Sequence, residues 1–466
     1  MPTTLDQTAA PLSVSDRLSD WISRLAPSDI PPTVRRAVAD TVLDTVGLCI
    51  ASVGTDYGVA VRKAAPGPGL CTVFGSETPQ DAFSAALVNG TTGHGEDYDN
   101  TYEGCPVHSG VVIVPALMAA GEAWGLSSDR VALGMAVGIE VMCRLGALAD
   151  KAVHSAGFHP TSVLGAVSAA AGVSAALGHT ARQTRDAMGV AASMSSGIIE
   201  YLADGSWTKR MHPGWAAQSG LRAAALGGAG FRGPVTVFEG THGLFKAFAP
   251  SLAPNFDVVL SDLGQRWEAS RVAFKPFACG TMTQPYIDCA VRLAEQGIGV
   301  EEIEQITCRV GEGTVHRLWE PLALKQSPPT AYAAKFSGPY CVAAGFLFRD
   351  AGLAQFTEAT IRDPALLALA AKVGFKIDPA NEYPANYTGH VAVRLKDGRE
   401  IEENQLQMRG GARQPLTRDD LMRKCAANLV FGGWPAEKSE MLARFADGMI
   451  DSRVLFSAKA FGARRS

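Results

Sequence analysis

The segment Gly110–Trp124, GVVIVPALMAAGEAW, and the segment 131–143, VALGMAVGIEVMC, decide how the chain is read. Both are apolar and rich in Ala and Gly, and each carries one carboxylate, Glu122 or Glu140. A membrane span needs about 20 clean apolar residues, so both read as helices buried in a protein core. Outward from them, residues 12–231 keep the same character: Ala/Leu/Val stretches broken by Gly, Pro and Ser, with charged stripes thin enough to imply helices covered on several sides. The 49 glycines, and runs such as Ala169-Ala170-Ala171-Gly172, let helices approach closely.

The pattern changes near Trp267. Segments 305–310 and 372–377 alternate in the manner of strands, and 390–402, HVAVRLKDGREIE, places Asp397-Gly398 between alternating runs, a hairpin signal. Beyond residue 410 the pattern is helical again, with Thr417 and Asp420 forming a capping-box start to a helix over 418–428. The expected fold is mainly α: a large all-helical domain from residues 1–266 plus 405–466, and a smaller inserted α+β lid domain at 267–404.

Composition removes several functions. The 466 residues carry 42 Lys+Arg against 46 Asp+Glu, a formal net charge of −4, so no global basic field exists to hold nucleic acid or an acidic membrane surface. The 9 cysteines are scattered and include no pair at the spacing of zinc or redox sites; reduced thiols in a cytoplasm are the natural reading. Residues 1–10 lack the basic start and apolar stretch of a secretory signal. There is no P-loop, no dinucleotide fingerprint and no GxSxG elbow.

The chemistry lies in a few polar interruptions. Three of the 9 histidines precede expected helices: His108 before Ser109-Gly110, His159 before Pro160, and His212 before Pro213, proline being favoured at a first helical position. A helix N-terminus attracts carboxylates and disfavours an imidazolium, so histidines there tend to be neutral. Lys275-Pro276 leading to Pro285, and Lys335 leading to Pro339-Tyr340, repeat the arrangement; convergence of these ends would make a polyanion pocket. The segment 94–110, HGEDYDNTYEGCPVHSG, is too polar for a simple helix connection. Its Asp97 and Asp99, with His94 and His108, are candidate metal ligands or simple caps; with no tight ligand spacing, the expectation is no metal. In 208–220, TKRMHPGWAAQSG, Lys209 sits beside Arg210 and His212, an arrangement expected to lower the lysine pKa.

Five ordered motifs then resemble the MmgE/PrpD family over nearly the whole chain: EDYDNT from Glu96 with His108, GFHPTS from Gly157, TKRMHPGWAA from Thr208, KPFACGTMTQPYIDCA from Lys275, and AKFSGPYCVAAG from Ala334. The family includes 2-methylcitrate dehydratase, cis-aconitate decarboxylase and iminodisuccinate epimerase. The resemblance implies a helical domain with an α+β lid, a homodimer, a cofactor-free site between the domains, and di- or tricarboxylate substrates. It carries over Asp97, Thr101, His108, His159, Lys209, Lys275 and Tyr340 as site positions. One departure is Gly280, where the decarboxylase branch places a histidine. The expected activity is therefore a cofactor-independent epimerase on a dicarboxylate such as iminodisuccinate. His159, Lys209 and Tyr340 are its expected acid/base groups; Asp97, Thr101, His108, Arg210, His212 and Lys275 are its expected substrate contacts. A 2-methylcitrate-type hydro-lyase is the alternative, a decarboxylase follows it, and a non-catalytic carboxylate-binding scaffold is the reading from another class.

Overall fold

Helix accounts for 56% of the chain and strand for 9%, so the mainly α class holds. The structure, a computed structural model, describes residues 12–65, 67–103 and 105–462; the segment 1–10, read above for a leader, lies outside them. Among the longer helices, α1 (Val14–Arg24), α2 (Pro32–Ser52), α3 (Ala82–His94), α4 (Gly110–Trp124), α5 (Ser128–Ala149), α6 (Pro160–Leu177), α7 (Ala181–Ser193) and α8 (Thr208–Gly228) build the first half. Capping boxes start α1, through Ser13 and Asp16, and α7, through Thr180 and Gln183; Gly125 and Gly178 stop α4 and α6 in the left-handed region.

The lid follows a two-stranded ladder, β1 (Thr101–Tyr102) against β2 (Val272–Ala273), and comprises α9 (Gln284–Glu295), β3 (Ile303–Val310), α10 (Gly338–Phe348), β4 (Val373–Ile377), β5 (Gly389–Leu395) and β6 (Glu400–Gln405). The sheet order is β4-β3-β5-β6, with β3 and β4 parallel and the other pairs antiparallel. Gly398, at φ +89°, turns the β5–β6 hairpin where Asp397-Gly398 predicts it. The chain ends in α11 (Arg418–Phe431), opened by the Thr417/Asp420 box, and α12 (Lys438–Gly448).

Two apolar cores result. One runs from Val14 to Phe274 and takes in Leu421, Cys425, Leu429 and Leu442 of the tail helices. The other lies within the lid but also includes Leu48, Ala51 and Tyr98 from the first half, so the loop after α3 is embedded in both. The carboxylates in the buried helices are satisfied. Glu122 accepts from Thr72 N–H at 2.6 Å and Ala458 N–H at 2.8 Å; Glu140 pairs with Arg144 at 2.5 Å and accepts from Ala269 N–H at 2.8 Å.

The expectation that neither 110–124 nor 131–143 reaches span length holds for the first, a helix of 15 residues, and is corrected for the second. By length and composition α5 and α6 are long and apolar enough to cross a membrane: α5 runs to 22 residues, well beyond 131–143, with a mean hydropathy of 1.7, and α6 to 18 residues at 1.4. Here the relevant windows are 89% and 94% buried by other helices.

Glycine fixes how α3 meets α8. A Cβ on Gly214 would lie 2.1 Å from the Leu87 carbonyl oxygen, and one on Gly90 would lie 2.5 Å from Gly214 Cα. Backbone therefore touches backbone, and the crossing brings the end of α3 at His94 beside the first turns of α8. Gly214→Ala overpacks a contact that only backbone movement can relieve, and is expected to lower stability by about 1–3 kcal/mol, read as a lower urea midpoint; an unchanged midpoint would show the crossing is loose.

Candidate active site at the domain seam

The loop leaving α3 organises the site. Asp97 adopts φ +54°, a left-handed conformation that Asp tolerates better than most residues. Its N–H donates to His94 O at 3.1 Å, closing the turn. Its carboxylate and carbonyl then face lysines from both domains. Lys209, in the first turn of α8, reaches Asp97 Oδ1 at 3.1 Å; Lys275, just past β2, donates to Asp97 O at 2.7 Å and lies 3.2 Å from Oδ1. The β1–β2 ladder, pairing Thr101 with Ala273, holds Lys275 in that position. Burial would raise the Asp97 carboxyl, but the two ammonium groups outweigh it and hold it well below the usual carboxylate range. Lys209 answers in kind: burial opposes its charge, and Asp97 raises its pKa above the ordinary value despite this.

Next to this triad lies a group of buried imidazoles. Asp99 Oδ2 accepts from His94 Nδ1 at 2.9 Å and lies 3.1 Å from His108 Nδ1, which also donates to Asn100 O at 2.9 Å. Two acceptors at one Nδ1 require a hydrogen there. The His94 ring stacks on His159 with centroids 5.7 Å apart, and His159 Nδ1 meets His212 Nδ1 at 3.2 Å. Burial drives His94, His159 and His212 toward neutrality, reinforced at His159 and His212 by Lys209 and the other imidazoles: His94 and His212 fall to about 4, and His159 falls well below its ordinary 6.5.

The helix-end expectation holds for His108 and His159. His159 is the N-cap of α6, and the His108 N–H donates to Thr161 Oγ1 at 3.2 Å, tying the two helix starts together. For His212 it is corrected: α8 begins at Thr208, and Pro213 lies inside the helix, so His212 is one turn in. The lowered lysine pKa is also corrected. Arg210 does not crowd Lys209; its guanidinium lies between the rings of Tyr57, at 4.4 Å, and Tyr332, at 4.8 Å, while Asp97 takes the Lys209 ammonium. Tyr340 leaves the acid/base set. It is buried in the lid core, its hydroxyl donating to Gln355 O at 2.6 Å and its ring lying 5.7 Å from Phe356.

Several neighbours lie outside the expected list of acid/base groups and substrate contacts. Lys335, fully buried, crosses from the lid to donate to Glu96 O at 2.9 Å and Ala278 O at 3.1 Å, and pairs with the Glu96 carboxylate at 3.0 Å. Tyr201 and Tyr332 add to the rise of the Lys209 pKa. Phe336 stands 6.0 Å from Lys209 Nζ, and a Cβ on Gly280 would meet its ring at 3.1 Å. Lys335 carried a signal, its place in the motif before Tyr340; the aromatic residues carried none. Among the described residues, His94, Asp99 and His108 bring metal-type donor atoms within 4.8 Å of one another, whereas Asp97 is engaged by the lysines. Hydrogen bonds to the Asp99 oxygen account for that proximity.

The class defined by this geometry is a helical domain with an α+β lid whose seam holds a buried cluster of lysines and neutral histidines. Residues 16–257 match the MmgE/PrpD N-terminal domain and residues 277–445 the MmgE/PrpD C-terminal domain. The chain belongs to the MmgE/PrpD family. It is 30% identical over 356 residues to cis-aconitate decarboxylase of Homo sapiens, covering 74% of this chain and 72% of that protein. It is 26% identical over 447 residues to the cis-aconitate decarboxylase-like protein oryM of Aspergillus oryzae, covering 90% and 91%, and 26% identical over 441 residues to cis-aconitate decarboxylase of Aspergillus terreus, covering 88% of each.

Two outcomes follow from the site. Unfolding releases His94 and His212, at about 4 in the folded chain, to their ordinary 6.5. The unfolded state then binds more protons between those values, so stability is full above pH about 6.5 and declines as pH falls toward 4. Urea midpoints should show this decline, reduced in His212→Asn; a flat profile across that window would contradict the neutral cluster. Exhaustive chelation should leave turnover intact, and loss of turnover restored by a divalent ion would instead assign His94, Asp99 and His108 as ligands.

Proposed function

We propose that this chain is a cofactor-independent acid–base enzyme that removes a proton from the carbon α to a carboxylate of a small dicarboxylate and returns one to the opposite face, an epimerase for a substrate such as iminodisuccinate. The observation that carries the reading is the complementary resting state of two neighbours: His159 is held neutral and Lys209 is held protonated. Proton transfer at carbon needs one group of each kind at the same time. His159 takes the proton, and the electron pair left on carbon spreads into the carboxylate. Lys275 and the cationic face of Lys209 stabilise that developing charge. The Lys209 ammonium then supplies a proton to the carbon. Thr101, His108 and Arg210 are assigned to substrate contact, and Asp97 to holding both lysines.

A hydro-lyase of the 2-methylcitrate dehydratase type is the second reading. It uses the same first step and differs in where the Lys209 proton goes, to a departing hydroxyl instead of to carbon. The names of the relatives favour decarboxylation, but Phe336 fills the space beside Gly280 in which a histidine side chain would have to sit. A binding scaffold without chemistry gains nothing from neutral imidazoles beside a charged lysine. The homodimer and the cytoplasmic location that the sequence suggests belong to the same proposal; sedimentation at micromolar concentration should give a dimer, and a clean monomer would count against it.

Incubation in D₂O with a panel of dicarboxylates tests the activity, with deuterium entry followed by NMR and inversion by polarimetry. Deuterium at the inverted carbon is expected, and His159→Gln and Lys209→Met should each lower inversion by roughly 10²–10⁴-fold. Alkene formation would assign the hydro-lyase, CO₂ release the decarboxylase, and no reaction with any member the scaffold.

A further inference from the structure

His212 is buried, one turn inside α8, and its Nδ1 lies 3.2 Å from the Nδ1 of His159. Two imidazole nitrogens 3.2 Å apart share one hydrogen, so one ring donates and the other accepts. Which ring donates decides whether the far nitrogen of His159 is a lone pair or an N–H. With its Nδ1 engaged by His212, His159 can act as the base of the reaction above only through Nε2. A lone pair on Nε2 of a neutral ring requires the hydrogen on Nδ1. His212 then accepts at Nδ1 and carries its own hydrogen on Nε2. That ring lies along an open cavity of 1020 Å³ lined also by Gly197, Tyr201, Trp215, Gln218 and Ser219. The same wall is fixed from behind: His159 N–H donates to Gly197 O at 2.8 Å, and a Cβ on Gly197 would meet Ser162 at 2.7 Å and His212 Cε1 at 3.3 Å.

We propose that His212 is a positioning residue that fixes His159 in the tautomer with hydrogen on Nδ1 and a basic lone pair on Nε2. The proposal rests on His159 being the base of the reaction above. In the step, the substrate C–H bond breaks, its proton bonds to His159 Nε2, and its electron pair stays on the substrate. The imidazolium so formed keeps its Nδ1–H on the His212 lone pair, which stabilises the positive charge through a neutral acceptor. A carboxylate in that place would hold His159 protonated between turnovers; a neutral imidazole orients it without doing so. His212 is thereby moved from the expected substrate contacts to a position behind the base.

The test compares His212→Ala, His212→Gln and the unaltered chain by circular dichroism, α-proton exchange in D₂O, and ¹⁵N NMR of the imidazoles. Removing the acceptor in His212→Ala should lower kcat for exchange by roughly 10²-fold with KM within about twofold, because the substrate is not touched. His212→Gln offers an amide oxygen to the same N–H and should recover most of the rate. Added imidazole, entering through the open cavity, should restore exchange to His212→Ala and leave His159→Gln unaffected. In the resting protein the ¹⁵N spectrum should show His159 with hydrogen on Nδ1 and His212 with hydrogen on Nε2. The opposite tautomers, full activity in His212→Ala, or a folded His212→Ala that neither Gln nor imidazole repairs would each overturn the proposal. Exchange that survives His159→Gln, or is absent from the unaltered chain with every carboxylate, would remove the assigned base and this role with it.

Discussion

The Asp97 carboxylate, buried between the ammonium groups of Lys209 and Lys275, is the interaction on which the site depends. It joins three parts of the chain: the end of α3, the first turn of α8 and the strand that enters the lid. Two ammonium groups that close would repel one another in a medium of low dielectric. Removing one partner of such a buried pair costs about 3–5 kcal/mol, mostly from the uncompensated charge left behind. Asp97 can do this because its backbone turns left-handed, so that the carbonyl as well as the carboxylate meets Lys275. Lys335, holding Glu96 O one residue earlier, fixes the same turn from the lid side.

The histidines follow from that charge arrangement. Burial first, and Lys209 kept protonated beside them, make a further positive charge unfavourable on His94, His159 and His212, and the tautomers of the cluster are set by hydrogen bonds. Asp99 and Asn100 O put hydrogen on His108 Nδ1, and Asp99 puts it on His94 Nδ1. The site thus separates two tasks by environment: fixed cations on one side, basic lone pairs on the other.

The sequence discloses the large features because they rest on local patterns. The hairpin at Asp397-Gly398, the capped start of α11 and the buried helices on either side of Glu122 and Glu140 follow from periodicity and turn chemistry. His108 and His159 are found at helix starts because Ser109-Gly110 and Pro160 mark those boundaries. The same logic misplaces the start of α8, since Pro213 is accommodated inside a helix that Trp207 begins. It also misjudges Lys209, because sequence adjacency puts Arg210 beside it while the helix sends the two side chains apart. Tyr340 shares a motif with Lys335, yet only the lysine reaches the loop after α3. What decides these cases is tertiary contact between segments more than a hundred residues apart, such as Asp97 with Lys209 and Lys275.

The role proposed for Lys209 also explains why fold and family leave the reaction open. A base that takes a proton from carbon creates the same carbanion in an epimerase and a hydro-lyase, and the same cations stabilise it. The outcomes diverge only in which atom stands nearest the Lys209 ammonium once charge has developed: the carbon, or an oxygen on its neighbour. That geometry belongs to the bound substrate as much as to the protein, and the protein's influence on it is the wall opposite the lysines. Phe336 packed against Gly280, with Tyr332 beside it at a centroid distance of 5.5 Å, gives that wall an aromatic surface where an imidazole would add a further proton donor. On the assignment proposed above, protons enter and leave through His159 and Lys209, which is the condition an exchange of configuration at one carbon requires.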